Sequence, residues 1–139
     1  TFVFHNYKKY KMNTKKYFIA FAIYWGGFGL VTTFYPALMD LFLSDDGIKA
    51  STDFSNHVWM HGGMDILALV IVLLALSKET LSKNTIIAIA FAALLPTLAI
   101  FYSLTFTPYW SVLFVGSGLG TLLFFLWGLT IGLKKEKSI

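Results

Sequence analysis

Four long apolar stretches, separated by short polar segments, constrain the fold of this chain more than any other feature. They cover residues 17–43, 57–76, 85–106 and 110–133. A helix needs about 20 apolar residues to cross the hydrocarbon of a bilayer, so each stretch is long enough to span it once. The chain is 57% hydrophobic and 13% charged, which leaves little of it for a water-soluble part. We therefore predict an all-α fold, an integral membrane four-helix bundle whose helices run alternately up and down.

The first residues of the chain differ in character from the rest. Residues 1–11 are rich in Lys and Tyr, whereas Met12-Asn-Thr-Lys-Lys leads directly into the first apolar stretch. This arrangement resembles a natural start at Met12. We predict that residues 1–11 are a non-native or disordered extension and that residues 12–139 form a single transmembrane domain.

Glycines and prolines in the spans predict where helices bend and where they approach one another. Pro36 should bend the outer end of the first span, and Pro96 should kink the third. Small residues let membrane helices pack closely. They recur in the first span at Gly26, Gly27 and Gly29, and in the fourth span as the two Gly-x-x-x-Gly pairs at 116/120 and 128/132. We expect these glycines to form contacts within the bundle or across a homodimer.

The lysines indicate how the bundle is oriented. Ten of the eleven Lys lie at the ends that alternating spans place on one side of the membrane, and only Lys49 lies on the other. By the positive-inside rule both termini are predicted to be cytoplasmic, in a multi-pass protein of a bacterial-type cytoplasmic (inner) membrane. The Lys residues form no patch with interleaved aromatics, so we expect the lipid bilayer, and no nucleic acid, as a partner. The chain has no Cys, which excludes thiol redox chemistry.

A polar ridge interrupts the second span. His57, His61 and Asp65 are spaced four residues apart and therefore share one face of a helix. Asp65 lies about 12 Å into the span at 1.5 Å per residue, close to mid-bilayer. An acidic residue at that depth is a functional-site hypothesis by default. Asp40, near the outer end of the first span, should lie level with the histidines, which predicts that it pairs with one of them.

Our main hypothesis is an intramembrane site that faces the bundle interior and opens outward. Its polar groups are His57, His61, Asp65 and Asp40. An apolar cavity with a few convergent polar groups suits a hydrophobic ligand such as a lipid or quinone. The aromatic residues expected to line it are Tyr24, Trp25 and Tyr102. A small membrane protein of binding or accessory type is the predicted function, and it could also assemble as a homo-oligomer or as the subunit of a membrane complex.

Three alternatives remain open for these residues. His57 and His61 could hold a metal ion together with Asp40 or a loop carboxylate such as Asp53, although His57 and Asp65 are too far apart along one helix to share it. His61 and Asp65 could act as an acid–base pair in a membrane enzyme or a proton relay. Asp65 could also be a protonated carboxyl group that only bonds a neighbouring helix. No cofactor is indicated by the residues.

Two families share features with this chain. Gly26-Gly27-Phe28-Gly29 running to Pro36, followed by a second span with His and Gly-Gly, resembles the DoxX-like group of small four-helix membrane proteins. That resemblance implies an accessory subunit of a membrane oxidoreductase. The spacing His61-x-x-x-Asp65 is similar to the His and acid pair with which sterol-isomerase-type membrane proteins transfer protons. That similarity implies an isomerase and supports the enzyme alternative.

Overall fold

The computed structural model describes residues 2–51 and 53–134, with the backbone alone at residues 2–12, 53 and 54. Within these residues the chain is helical. The helices are α1 (Phe2–Phe34), a 3-10 helix (Pro36–Phe42), α2 (Asp45–Ala50), α3 (Asp53–Leu76), α4 (Lys83–Phe106) and α5 (Phe114–Gly132). Four of them contain segments long and apolar enough to cross a membrane: Asn13–Phe34, Ser55–Leu76, Lys83–Phe106 and Phe114–Gly132. The predicted all-α membrane bundle is confirmed.

The first span ends earlier than predicted. The residue before a proline avoids the helical conformation, because the proline ring clashes with its backbone. Tyr35 accordingly leaves the helical region, α1 stops at Phe34, and the 3-10 helix begins with Pro36. The expectation of one bent helix over 17–43 is therefore wrong at its outer end. At the other end α1 continues back to Phe2. That residues 1–11 are a non-native or disordered extension stays a prediction.

The polar segments between the spans contain helix starts that the apolar pattern did not predict. The Ser44 side chain accepts a hydrogen bond from the Gly47 amide at 3.1 Å and caps α2, inside the polar segment between the first two apolar stretches. Ser82 caps α4 in the same way through the Thr85 amide at 3.1 Å. Each serine oxygen satisfies an amide that lacks a partner in the first turn of a helix.

The four spans pack as two pairs that meet in the middle. α1 packs along α3, α4 packs along α5, and the two pairs join where α1 contacts α5. Tyr17 and Phe18 of α1 are fully buried in the interior, together with Leu73 of α3, Ile86 of α4 and Ile131 of α5. At the opposite end, the Ser44 amide bonds the Tyr109 carbonyl at 2.9 Å and ties the two long connections together.

Glycines mark the closest approaches between helices, as predicted. A Cβ at Gly29 of α1 would lie 3.2 Å from the Gly63 carbonyl oxygen of α3, and a Cβ at Gly128 of α5 would lie 2.7 Å from the Ala90 side chain of α4. Gly27 and Gly116 behave differently, because a Cβ at either position meets no heavy atom within 4 Å. Close packing therefore uses some of the small residues and leaves others on open surfaces.

One buried hydrogen bond joins α4 to α5. The Thr97 and Thr121 hydroxyl groups lie 2.7 Å apart, and Thr121 also donates to the Gly118 carbonyl at 2.9 Å. Thr97 follows Pro96, through which α4 continues without ending. Hydroxyl pairs of this kind hold membrane helices together, since lipid offers them no alternative partner.

Candidate functional site: an exposed polar face on α3

The predicted polar ridge lies on the outside of the described chain. His57, His61 and Asp65, here called the polar face, are all exposed. Gly63 explains this placement: it lies two residues from both His61 and Asp65, which is about 200° around a helix. Gly63 is buried, with Thr32 and Thr33 of α1 directly over it. Because that side of α3 faces α1, the polar face must point away from the bundle. The expectation that it faces the interior is wrong for the single chain.

α3 is also the least covered of the four spans. In its most apolar window 11% of residues are buried, against 39% for α1 and 28% each for α4 and α5. Asp65 lies in the middle of the Ser55–Leu76 span, so this uncovered face carries a carboxyl group at mid-membrane depth. The combination is unusual, because acidic residues within spans almost always face a bundle interior or a water-filled cavity.

One line of exposed residues along α3 passes through His61 and Asp65. Intervals of three and four residues alternate along this line, which is the heptad spacing of helices that pack side by side. The residues concerned are all exposed and are here called the seam: Val58, His61, Asp65, Ala68, Val72 and Ala75. Two of its six members are alanines, and two are the polar pair. The opposite side of α3 packs on α1, and the seam is left exposed.

The polar side chains form none of the interactions that were predicted among themselves. Among the described residues, the side chains of His57, His61, Asp65 and Asp40 take part in no hydrogen bond or ion pair. Asp40 is half-buried on the 3-10 helix, where its backbone oxygen accepts from the Leu43 amide at 3.0 Å. The expected pairing of Asp40 with a histidine is therefore not formed in this structure.

The structure also does not bring the metal candidates together. Among the residues whose side chains are described, 13–51 and 55–134, no group of three or more His, Asp or Glu side chains lies close enough to bind an ion. The side chain of Asp53 lies outside these residues. His57, His61 and Asp40 accordingly do not form a ligand set. On the described geometry, the chemistry of the polar face is that of hydrogen-bond donors and acceptors that lack partners.

The three aromatic residues expected to line a common cavity are separated. Trp25 packs against the interior, and its indole Nε1 is buried without a hydrogen-bond partner among the described residues. Tyr102 is exposed on α4, with its ring 4.8 Å from that of Phe106. Tyr24 lies between α1 and α5, where its hydroxyl donates to the Ser117 carbonyl oxygen at 2.8 Å. None of them completes a pocket with the polar face.

Sequence reasoning missed an apolar groove beside Tyr24. The groove has a volume of about 440 Å³ and lies between α1, the 3-10 helix and α5. Phe28 and Phe42 line it, and Gly116 opens one wall because it carries no side chain. The sequence gives no signal for it, because nothing in the sequence distinguishes Gly27 and Gly116, where a Cβ would meet no heavy atom within 4 Å, from the glycines at close helix contacts.

Fold and site together define a small all-α membrane protein with four spans and a polar helix face that the chain leaves uncovered. Comparison of the chain with protein-family models, curated proteins and solved structures found no match. The resemblance to the DoxX-like group stays a prediction.

Proposed function

We propose that this protein is an accessory membrane protein whose α3 polar face binds a partner protein inside the bilayer. The observation that carries the proposal is the exposure of Asp65 and His61 at the middle and outer half of a span that packs on one side only. Exposing these polar groups to lipid costs free energy in an isolated chain, and a bound partner would remove part of that cost.

The energetic argument rests on where Asp65 lies. An acidic residue at the centre of a membrane helix costs about 2.5–3.5 kcal/mol by the mildest insertion scales. A partner that supplies hydrogen-bond donors to the carboxyl group and an acceptor to His61 removes much of that penalty. A partner therefore stabilises this face by satisfying polar groups, in addition to packing against the apolar residues around them.

The shape of the surface favours a helix over a small ligand. Pockets for small molecules are concave. The groove around Tyr24 and a second groove, lined by Leu30, Val31, Phe34 and Tyr35, contain neither His61 nor Asp65. An acid–base enzyme would need a cavity beside this pair to hold its substrate. The Tyr24 groove supports a second candidate function, the binding of an acyl chain or a quinone tail at a separate place.

Other expectations are compatible with an accessory subunit. We propose a cytoplasmic membrane location with both termini in the cytoplasm, on the basis of the Lys distribution. The resemblance to the DoxX-like group implies the same kind of role. Among the described residues, the acidic α2 segment and the Trp59 and Trp110 rings, 5.9 Å apart, then lie at the outer surface.

A photocrosslinking amino acid at Ala68 tests the proposal. Ala68 lies on the seam one turn from Asp65, so we expect illumination of native membranes to give a protein-sized adduct there. The same probe at Leu95, a 67% exposed residue of α4, is expected to capture lipid only. The adduct at Ala68 should fall severalfold when Asp65→Ala is added, since the partner then loses its polar contact. Lipid capture alone at Ala68, or a protein adduct indifferent to Asp65, would contradict the proposal.

A further inference from the structure

We propose that the partner of the seam is a second copy of this chain, with the two α3 helices packed side by side about a two-fold axis along the membrane normal. This inference rests on the proposed function and names its partner. In such a dimer each chain would contribute a histidine to the other chain's aspartate, so the polar site is complete only when both copies are present.

The spacing of the seam fits a parallel pair of identical helices. Val58, Asp65 and Val72 occupy one of the two alternating heptad positions, and His61, Ala68 and Ala75 occupy the other. Membrane helices with this period cross at about 20°, with small residues at the contact. The two alanines let the backbones approach on the inner half of the span. Copies in one membrane share a single topology, so their α3 helices run parallel, as a two-fold axis along the normal requires.

The polar groups of the seam complement themselves. In parallel heptad packing each side chain enters a hole formed by four residues of the facing helix. The hole that receives Asp65 includes the facing His61, which lies about 6 Å further along the axis at 1.5 Å per residue. The imidazole and the carboxyl group can then share a proton in one hydrogen bond. By symmetry the contact forms twice, so that His61 and Asp65 of each chain gain a partner.

A different partner would have to supply two matched groups. It would need a donor at the depth of Asp65 and an acceptor one turn away at the depth of His61, on one helix face. A second copy carries both groups at the required spacing without further assumptions. This matching of donor and acceptor is the reason for choosing the chain itself as the occupant.

Single cysteines provide the experiment, because this chain contains no Cys. Ala68→Cys and Ala75→Cys would place a thiol on the seam. Leu95→Cys and Leu123→Cys, at residues that are each 67% exposed on α4 and α5, serve as matched controls. After oxidation of native membranes with copper–phenanthroline, we expect disulfide dimers from the seam variants at roughly five times the yield of the controls or more, since only facing Cβ atoms approach within bonding geometry.

A residue exchange tests the polar contact itself in the Ala68→Cys background. His61→Asp alone places four carboxyl groups on the seam of the dimer and should reduce crosslinking to the level of the controls. Adding Asp65→His restores one histidine and one aspartate per chain, so the yield should recover. A general effect on folding would not be reversed by a second substitution, and circular dichroism of each purified variant checks that the helices are intact.

Failure of this inference can be separated from failure of the proposed function. If Ala68→Cys crosslinks no more than Leu95→Cys while the photocrosslinker at Ala68 still gives an Asp65-dependent adduct that is not this 15.6 kDa chain, the second copy is overturned and a different protein occupies the seam. If the photocrosslinker captures only lipid, both proposals are overturned.

Discussion

Replacing Tyr17 by Ala is expected to lower the free energy of unfolding by about 2–4 kcal/mol. Tyr17 is fully buried, and its ring lies 5.1 Å from that of Phe18, 6.2 Å from Phe124 and 5.6 Å from Trp127. Tyr17 of α1 therefore contacts α5, and the contact between α1 and α5 is where the two helix pairs meet. Lipid is as apolar as the interior, so the loss comes from the unfilled cavity rather than from transfer to water. Unfolding by SDS from mild detergent micelles, followed by tryptophan fluorescence, measures it.

Tyr17→Phe is the matched control and should behave in the opposite way. The Tyr17 hydroxyl is buried without a hydrogen-bond partner among the described residues. Removing an unsatisfied buried hydroxyl leaves the ring contacts intact and should keep stability unchanged or raise it by up to about 1 kcal/mol. An equal loss of stability in Tyr17→Phe and Tyr17→Ala would show that the hydroxyl, and not the ring, holds this part of the bundle.

Gly63→Leu is expected to separate α3 from α1 and to destabilise the protein by about 3 kcal/mol, at the upper end of what overpacking does. A Cβ at this position would lie 2.7 Å from the Thr33 backbone nitrogen and against the Thr32 and Thr33 hydroxyl groups. Backbone atoms cannot rotate away as a flexible side chain can, so the helices must shift. The same SDS titration measures the loss.

The neighbouring glycine supplies the control for this substitution. A Cβ at Gly62 meets no heavy atom within 4 Å, so Gly62→Leu should change stability by less than about 0.5 kcal/mol, the range of surface substitutions. The two variants differ by one position and share the same added side chain. If Gly62→Leu proved as damaging as Gly63→Leu, α3 would be rotated about its axis relative to this structure, and the polar face would have to be reassigned.

Much of the fold was predictable because the bilayer restricts the choices. Lipid admits only segments that satisfy their own backbone, so four long apolar stretches had to form four helices. The segments at the outer ends of the spans were less predictable. A 3-10 helix after Pro36 and a short helix after Ser44 depend on local caps and on contacts with the distant 107–113 connection, such as the 2.8 Å bond from the Ser111 amide to the Phe42 carbonyl. Hydropathy carries no information on helix caps or on contacts between distant connections.

The orientation of α3 could not be predicted from hydropathy, because both faces of the helix are largely apolar. The general rule that charged groups avoid lipid predicts that the polar face lies in the interior. Gly63 indicates the opposite orientation. Small residues mark close helix contacts, and Gly63 lies on the side of α3 opposite to Asp65. The rule and the position of Gly63 agree in the assembly that we propose, because a partner would cover the polar face there.

A footprint with a photoactivatable lipid tests most directly whether the polar face of α3 is covered in the membrane. The unmodified chain is illuminated in its native membrane with a lipid that carries a diazirine on its acyl chain, and the labelled residues are mapped by mass spectrometry. We expect Ala68 and Val72 to be labelled far less than Leu95 and Leu98 of α4, although all four are exposed in the single chain. Labelling of Ala68 and Val72 as strong as that of Leu95 and Leu98 would contradict the account. The seam, which also carries His61 and Asp65, would then be in contact with lipid.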